Sequence, residues 1–125
     1  MGEEQQVAYK ELLVWQKSMN LATKVIKIVE SLNTDRRHYR LIEQLESCVT
    51  SIPMNIAEGK GRESKKDFAR FLYISRGSIY ETLTLLEIFH RQGWITSDVY
   101  RSFEKDALEV IRMLKGLINA IQAKS

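Results

Sequence analysis

The sequence predicts an all-α protein, an up-and-down antiparallel four-helix bundle, and three observations carry that expectation. Apolar residues recur at alternating spacings of three and four along four long stretches. One Pro and six Gly leave too few breakers for a turn-rich β sandwich. The connections between the periodic stretches are short, which makes successive helices antiparallel neighbours. A chain of 125 residues closes around one core, so residues 9–125 are assigned to the bundle and 1–8 to a flexible N-terminal tail.

The first helix is expected from Tyr9 to Leu32, where Leu12, Trp15, Met19, Ala22, Ile26 and Val29 form one apolar stripe. Val14, Leu21, Val25, Ile28 and Leu32 form a second. Together they span roughly 200° of the helix surface, more than the ~100° a simple surface helix buries. Asn33, Thr34 and Asp35 break the pattern, and each is a residue type that caps a following helix. The second helix carries Leu41, Leu45, Cys48, Val49, Ile52 and Ile56, with a kink expected at Pro53 and a stop at Gly59 and Gly61.

Ser64 followed by Asp67 resembles a capping box and opens the third helix. Its core stripe is Phe68, Phe71, Leu72, Ser75, Ile79, Thr82, Leu83, Leu86 and Phe89. The opposite side carries Tyr73, Gly77, Tyr80, Thr84 and Ile88, uncharged where a solvated face is normally rich in charge. Gly93 ends this helix and Thr96 caps the fourth, with Ile95 and Tyr100 as a hydrophobic staple. The fourth helix buries one face only: Tyr100, Phe103, Ala107, Val110, Leu114, Leu117 and Ile121.

The contrast between one-sided and two-sided helices predicts self-association, which is favoured over a merely wider core because both helices show the feature. Val14, Leu21, Val25 and Ile28 of the first helix and Tyr73, Gly77, Tyr80, Thr84 and Ile88 of the third are the expected contact residues. The first and third helices lie on a diagonal of the bundle, so their outer faces fit a head-to-tail contact that closes into a ring.

Composition excludes several function classes. A single Cys48 rules out an internal disulfide, and His38 and His90 alone supply no metal-ligand set. Ser51, Ser75 and Ser78 lack the glycine elbow of a catalytic Ser. Cys48 lies on an apolar stripe and reads as filler. His90 is expected to interact with terminal carbonyls of its helix. Gly59, Gly61 and Ser64 lack the Gly-Lys-Ser/Thr ending of a phosphate loop. The expectation is therefore no enzyme, no catalytic residue, no cofactor and no metal. No stretch approaches ~20 uninterrupted apolar residues, and Met1–Lys10 is polar and acidic, so a cytoplasmic protein without a membrane partner is expected.

Nineteen Lys+Arg against sixteen Asp+Glu give a net charge of +3, which permits nucleic-acid contact without requiring it. The densest basic segment is Lys60, Arg62, Lys65, Lys66 and Arg70, set against Glu63 and Asp67. In one subunit such a run suits a solvated loop. Repeated around the rim of a ring, it multiplies weak phosphate contacts. Arg36, Arg37 and Arg40 form a second cluster, expected at the opposite end of the bundle. Tyr73 and Tyr80 are candidates for base stacking, but Gly77 and Thr84 beside them favour a subunit contact.

The residues Leu13–Lys17, the run Ser51–Arg62 (SIPMNIAEGKGR), and Phe68 with Phe71–Thr82 resemble the 23S rRNA-intervening-sequence protein family, bacterial four-helix-bundle proteins, over about residues 9–122. Pro53, Asn55, Glu58, Gly59 and, further on, Glu81 are the signature positions. Asn55, Glu58 and Glu81 are expected to be inward or interfacial and to bond the kinked backbone or the loop. The resemblance implies a left-handed bundle assembled into a homopentamer, in agreement with the ring. A distant likeness to the accessory protein of diversity-generating retroelements, a pentameric barrel that binds a reverse transcriptase and nucleic acid, supports an RNA-associated role by analogy. One departure stands out: Gln44 is followed by Leu45, Glu46 and Ser47 where many relatives carry a basic pair. The functional expectation is a non-enzymatic homopentamer that binds RNA or another nucleic acid through a basic rim. The alternative is a scaffold that recruits a partner protein.

Overall fold

The computed structural model describes residues 8–32 and 38–123. A 3-10 turn, Ala8–Glu11, leads into four helices: α1 (Leu13–Ser31), α2 (Tyr39–Lys60), α3 (Lys65–Arg91) and α4 (Ser97–Ala123). Each helix packs on its sequence neighbours and α1 closes onto α4, while the diagonals α1–α3 and α2–α4 make no close backbone approach. That is the up-and-down bundle. The most extensive contact joins α2 and α3.

The start of the first helix differs from its expected place. Tyr9 lies in the 3-10 turn, where its carbonyl accepts from the Leu12 amide at 3.1 Å and its ring meets Trp15 edge-on at 5.2 Å. The helix therefore begins at Leu13. The expected caps Asn33, Thr34 and Asp35, the basic pair Arg36 and Arg37, and most of the 1–8 tail lie outside the described residues.

Three of the sequence-read caps are formed. Ser64 Oγ accepts from the Asp67 amide at 3.0 Å, and Thr96 Oγ1 accepts from the Val99 amide at 3.2 Å. Gly93 turns the chain with φ +78°, a conformation that costs a residue with a Cβ. Behind this turn Trp94 packs on Phe89 at 5.0 Å and on His38 at 4.5 Å, closing that end of the bundle.

The core runs the length of the bundle through Leu21 and Val25, Val49, Ile52 and Ile56, Leu72, Ile79, Leu86 and Phe89, and Phe103, Val110 and Leu114. It corrects the reading of α1. Val14, Leu21 and Val25 are buried inside the single chain, and Ile28 packs partly buried against the same core. A corner helix meets two neighbours, α2 and α4, so Val14, Leu21 and Val25 are used within the chain and are not left for a second subunit, while Ile28 keeps part of its surface. The outer edge of α1 is joined to α4 by ion pairs, Lys24 to Asp106 at 2.7 Å and Lys17 to Glu109 at 3.2 Å. Lys24 also donates to Ser102 Oγ. Such partly exposed pairs contribute about 0–1 kcal/mol each.

Gly59 is also corrected. It does not stop α2, which runs on to Lys60 with Gly61 as the cap. It is buried where α2 meets α3: a Cβ there would stand 2.8 Å from Phe71 Cβ and 3.2 Å from the Phe68 carbonyl oxygen. The residue permits the close approach of the two helices.

The α2–α3 contact is partly polar. Ser75 Oγ donates to the Ile52 carbonyl at 2.9 Å, beside the buried Pro53. Ser51 and Ser78 hydroxyls meet at 2.8 Å, and Thr82 Oγ1 donates to Cys48 Sγ at 3.2 Å. Among the described residues no buried side-chain nitrogen or oxygen lacks a partner.

Candidate functional site at the turn between α2 and α3

The end of α2, the turn Gly61–Ser64 and the first turns of α3 gather the five basic residues of the densest run, three of them against two aromatic rings. Lys60 Nζ lies 5.8 Å from the Phe68 centroid. Arg62 and Arg70 flank Phe71 at 4.9 and 4.5 Å. Cation–π contacts of this kind hold the guanidinium planes at the surface while leaving their charge exposed. Two carboxylates are engaged within the same rim: Glu58 pairs with Arg62 at 2.6 Å, and Asp67 with Arg70 at 3.6 Å. Among the described residues Lys65 and Lys66 have no ion-pair partner, and both are exposed.

Two grooves open between this rim and the end of α4. One, of about 370 Å³, runs between Lys60, Arg62 and Lys65 on one side and Leu117 and Ile121 on the other, over Phe68. The second, of about 560 Å³, is bordered by Lys65, Lys66, Arg70 and Tyr73. The other basic cluster is represented by Arg40, which lies over the ring of its neighbour Tyr39 at 5.9 Å. It stands at the start of α2, at the opposite end of that helix from Lys60.

The outer side of α3 is open. Tyr73, Gly77, Tyr80, Thr84 and Ile88 are exposed, with Tyr80 at 53%. Gly77 has nothing within 4 Å of the place a Cβ would occupy. Grooves of about 480 and 400 Å³ flank Tyr80 and Ile88 on the α4 and α2 sides. The five-residue set is thus a surface of the single chain, whereas Val14, Leu21 and Val25 of the set expected on α1 are buried.

The signature residues divide. Asn55 is half-buried and its Nδ2 donates to the Ser51 carbonyl and to Ser51 Oγ, both at 2.8 Å, which braces the turn of helix that holds Pro53. Glu58 and Glu81 are exposed rather than inward. Glu58 holds Arg62 of the turn.

The remaining chemistry-bearing groups make contacts within the chain. Burial pushes the Cys48 thiol up, against the lowering effect of the Thr82 hydrogen bond. His90 differs from its expected role: Nδ1 faces Glu87 Oε2 at 3.3 Å and Nε2 faces Ser97 Oγ at 2.8 Å, with the ring stacked on Tyr100. This Glu-His-Ser chain ties the end of α3 to the start of α4. The groove beside it is lined by Glu87 and Tyr100 but by neither His90 nor Ser97. Tyr100 is pushed up by burial and then by Glu104, which accepts from its hydroxyl at 3.2 Å.

Sequence reasoning missed the Ser51–Ser78 and Cys48–Thr82 contacts, although Ser75, Ser78 and Thr82 at spacings of three and four already mark one polar stripe. It weighed Tyr73 for base stacking but favoured a subunit contact. The nearby Arg70 and Arg76, three residues to either side, were the available signal.

No described helix is long and apolar enough to cross a membrane. No curated protein matches the sequence. A solved crystal structure of a protein of unknown function from the S23 ribosomal protein family of Bacteroides thetaiotaomicron is similar, with a TM-score of 0.79 and 28% identity over 85% of this chain and 98% of that one. Its fold supports the four-helix arrangement independently. Residues 10–116 match the description "23S rRNA-intervening sequence protein". With the match spanning both the Pro53–Gly59 signature and the basic rim, the chain belongs to the 23S rRNA-intervening sequence protein family.

Proposed function

We propose that this protein is a non-enzymatic, cytoplasmic homo-oligomer, a pentamer, whose repeated rim of Lys60, Arg62, Lys65, Lys66 and Arg70 binds RNA. The observation that carries the reading is the gathering of these five cations at one end of the bundle, with Lys60, Lys65 and Lys66 exposed and in no ion pair among the described residues. One rim is a small phosphate-binding surface. Five copies raise the effective concentration of each successive contact.

Self-association is supported by the open apolar side of α3, where Gly77, Tyr80, Thr84 and Ile88 meet no other part of the chain in a way that hides them from solvent. Its partner surface on the next subunit is not the stripe of Val14, Leu21 and Val25, which the core already covers. The ring size of five is what the family resemblance implies.

Light scattering at micromolar concentration tests the assembly: a mass near five times the 14.6 kDa chain is expected, and a monomer overturns the ring. Replacing Lys60, Arg62, Lys65 and Lys66 with Glu tests the rim. Binding to structured RNA in low salt should be abolished, and unchanged affinity rejects the assignment. The native protein's log affinity should also fall linearly with log salt, by roughly 0.7–0.9 per phosphate neutralised. A second reading, a scaffold for a partner protein, is favoured by the apolar grooves beside Tyr80 and Ile88. Crosslinking in the host that recovers protein and no RNA selects it.

A further inference from the structure

We infer that the groove between the first turns of α3 and the end of α4 takes unpaired bases, so that the RNA bound is single-stranded and Tyr73 is its stacking platform. This deepens the RNA reading and rests on it.

The groove differs from a plain phosphate-binding surface in having an apolar interior. Ala69 and Ile121, 5% and 9% exposed, form part of its lining, while Lys65, Lys66 and Arg70 stand on its border. At about 560 Å³ it falls inside the roughly 300–1,000 Å³ range of pockets that enclose small organic ligands. A duplex keeps its bases stacked inside and offers phosphates outside, so it has no use for such an interior. A single strand presents both phosphates and flat apolar bases.

Tyr73 meets the requirements of a stacking platform. It is 40% exposed at the groove, and the Arg76 guanidinium lies over the ring at 4.9 Å. The Gln122 side chain reaches its hydroxyl at 3.5 Å, bracing the ring from α4. A base laid on the exposed part of the ring would complete an Arg–Tyr–base stack, with Lys65, Lys66 and Arg70 in place for the flanking phosphates. The single carboxylate on the border, Asp67, is already turned to Arg70. The balance of charge at the groove is therefore positive. An acidic peptide would satisfy the charges but would leave the ring without a planar partner.

Fluorescence anisotropy with a fluorescein-labelled RNA of about 15 nucleotides, free of self-complementarity, and the same strand annealed to its complement provides the test. The full chain should bind the single strand about tenfold more tightly than the duplex. Tyr73→Ala should weaken the single strand by about 5–150-fold, the effect of losing one stacked base, and leave the duplex unchanged. Tyr73→Phe should retain binding, and Lys65→Glu with Lys66→Glu should weaken both forms. Equal binding of the two forms with no effect of Tyr73→Ala overturns the inference and leaves RNA binding standing. Binding of neither form overturns the RNA reading itself. Tighter binding of a poly-glutamate peptide of similar length, or a changed light-scattering mass for Tyr73→Ala, also overturns the inference by assigning the groove to an acidic segment or to a subunit contact.

Discussion

Gly59 of α2 and Phe71 of α3 sit so close that a Cβ on the glycine would stand 2.8 Å from the phenylalanine Cβ. The two helices thus come close beside the basic rim, and Phe71 carries Arg62 and Arg70 on its ring. Gly59→Ala should destabilise the fold by about 1–3 kcal/mol of overpacking, partly offset by the roughly 1 kcal/mol that Ala gains over Gly in a helix. Gly116→Ala is the matched control, since nothing lies within 4 Å of its Cβ position within α4, and it should stabilise by about 0.5–1 kcal/mol. Urea unfolding of the two variants checks both signs.

The open side of α3 makes a separate prediction. Tyr80→Glu combined with Ile88→Glu places two charges on residues that are 53% and 37% exposed in the single chain, so folding of the subunit should be unaffected. Burying those charges between subunits is costly. Light scattering should fall to the monomer mass while the helical circular dichroism signal stays constant. A retained oligomer would move the contact elsewhere.

The hydroxyl pair across the α2–α3 contact has a measurable coupling. Ser51 and Ser78 meet at 2.8 Å, and Ser51 also accepts from Asn55. Each single change to Ala should cost about 0.5–1.5 kcal/mol. The double change should cost less than the sum, with an interaction energy of about 0.5–1 kcal/mol in a double-mutant cycle. Strict additivity would show that the pair contributes no specific contact.

Cys48 predicts a pH dependence whose sign follows from its burial. The folded thiol has its pKa raised, so the folded state holds its proton more tightly than the unfolded one. This contribution to stability is fully present below the ordinary thiol value of 9.0 and is lost as pH rises through the higher folded value. Tyr100, also raised, acts in the same direction at still higher pH. Unfolding free energy should therefore decline above about pH 9, and Cys48→Ala should decline less steeply. Iodoacetamide should label the native chain at neutral pH far more slowly than the chain in urea.

Much of the fold is legible along the chain because caps and periodicity are local. Ser64, Gly93 and Thr96 mark their helix ends through bonds and dihedrals spanning only a few residues. The four helices and their core stripes follow from the spacing of apolar residues, with Leu72, Ile79, Phe103 and Leu114 buried as expected. The basic run from Lys60 to Arg70 is equally visible, since a turn keeps neighbours in sequence together in space.

What the sequence determined by itself is which residues are apolar, charged or turn-forming, and hence the family, the four helices and the position of the basic rim. Tertiary structure decided what covers each face. The wide apolar arc of α1 is used by two neighbours, because a helix at the corner of a bundle packs on both sides at once. Gly59 became a point of contact, and Tyr73 came to border a groove with Lys65, Lys66 and Arg70. Periodicity fixes the direction in which a side chain leaves its own helix, but only the packing of separate helices determines what it meets there.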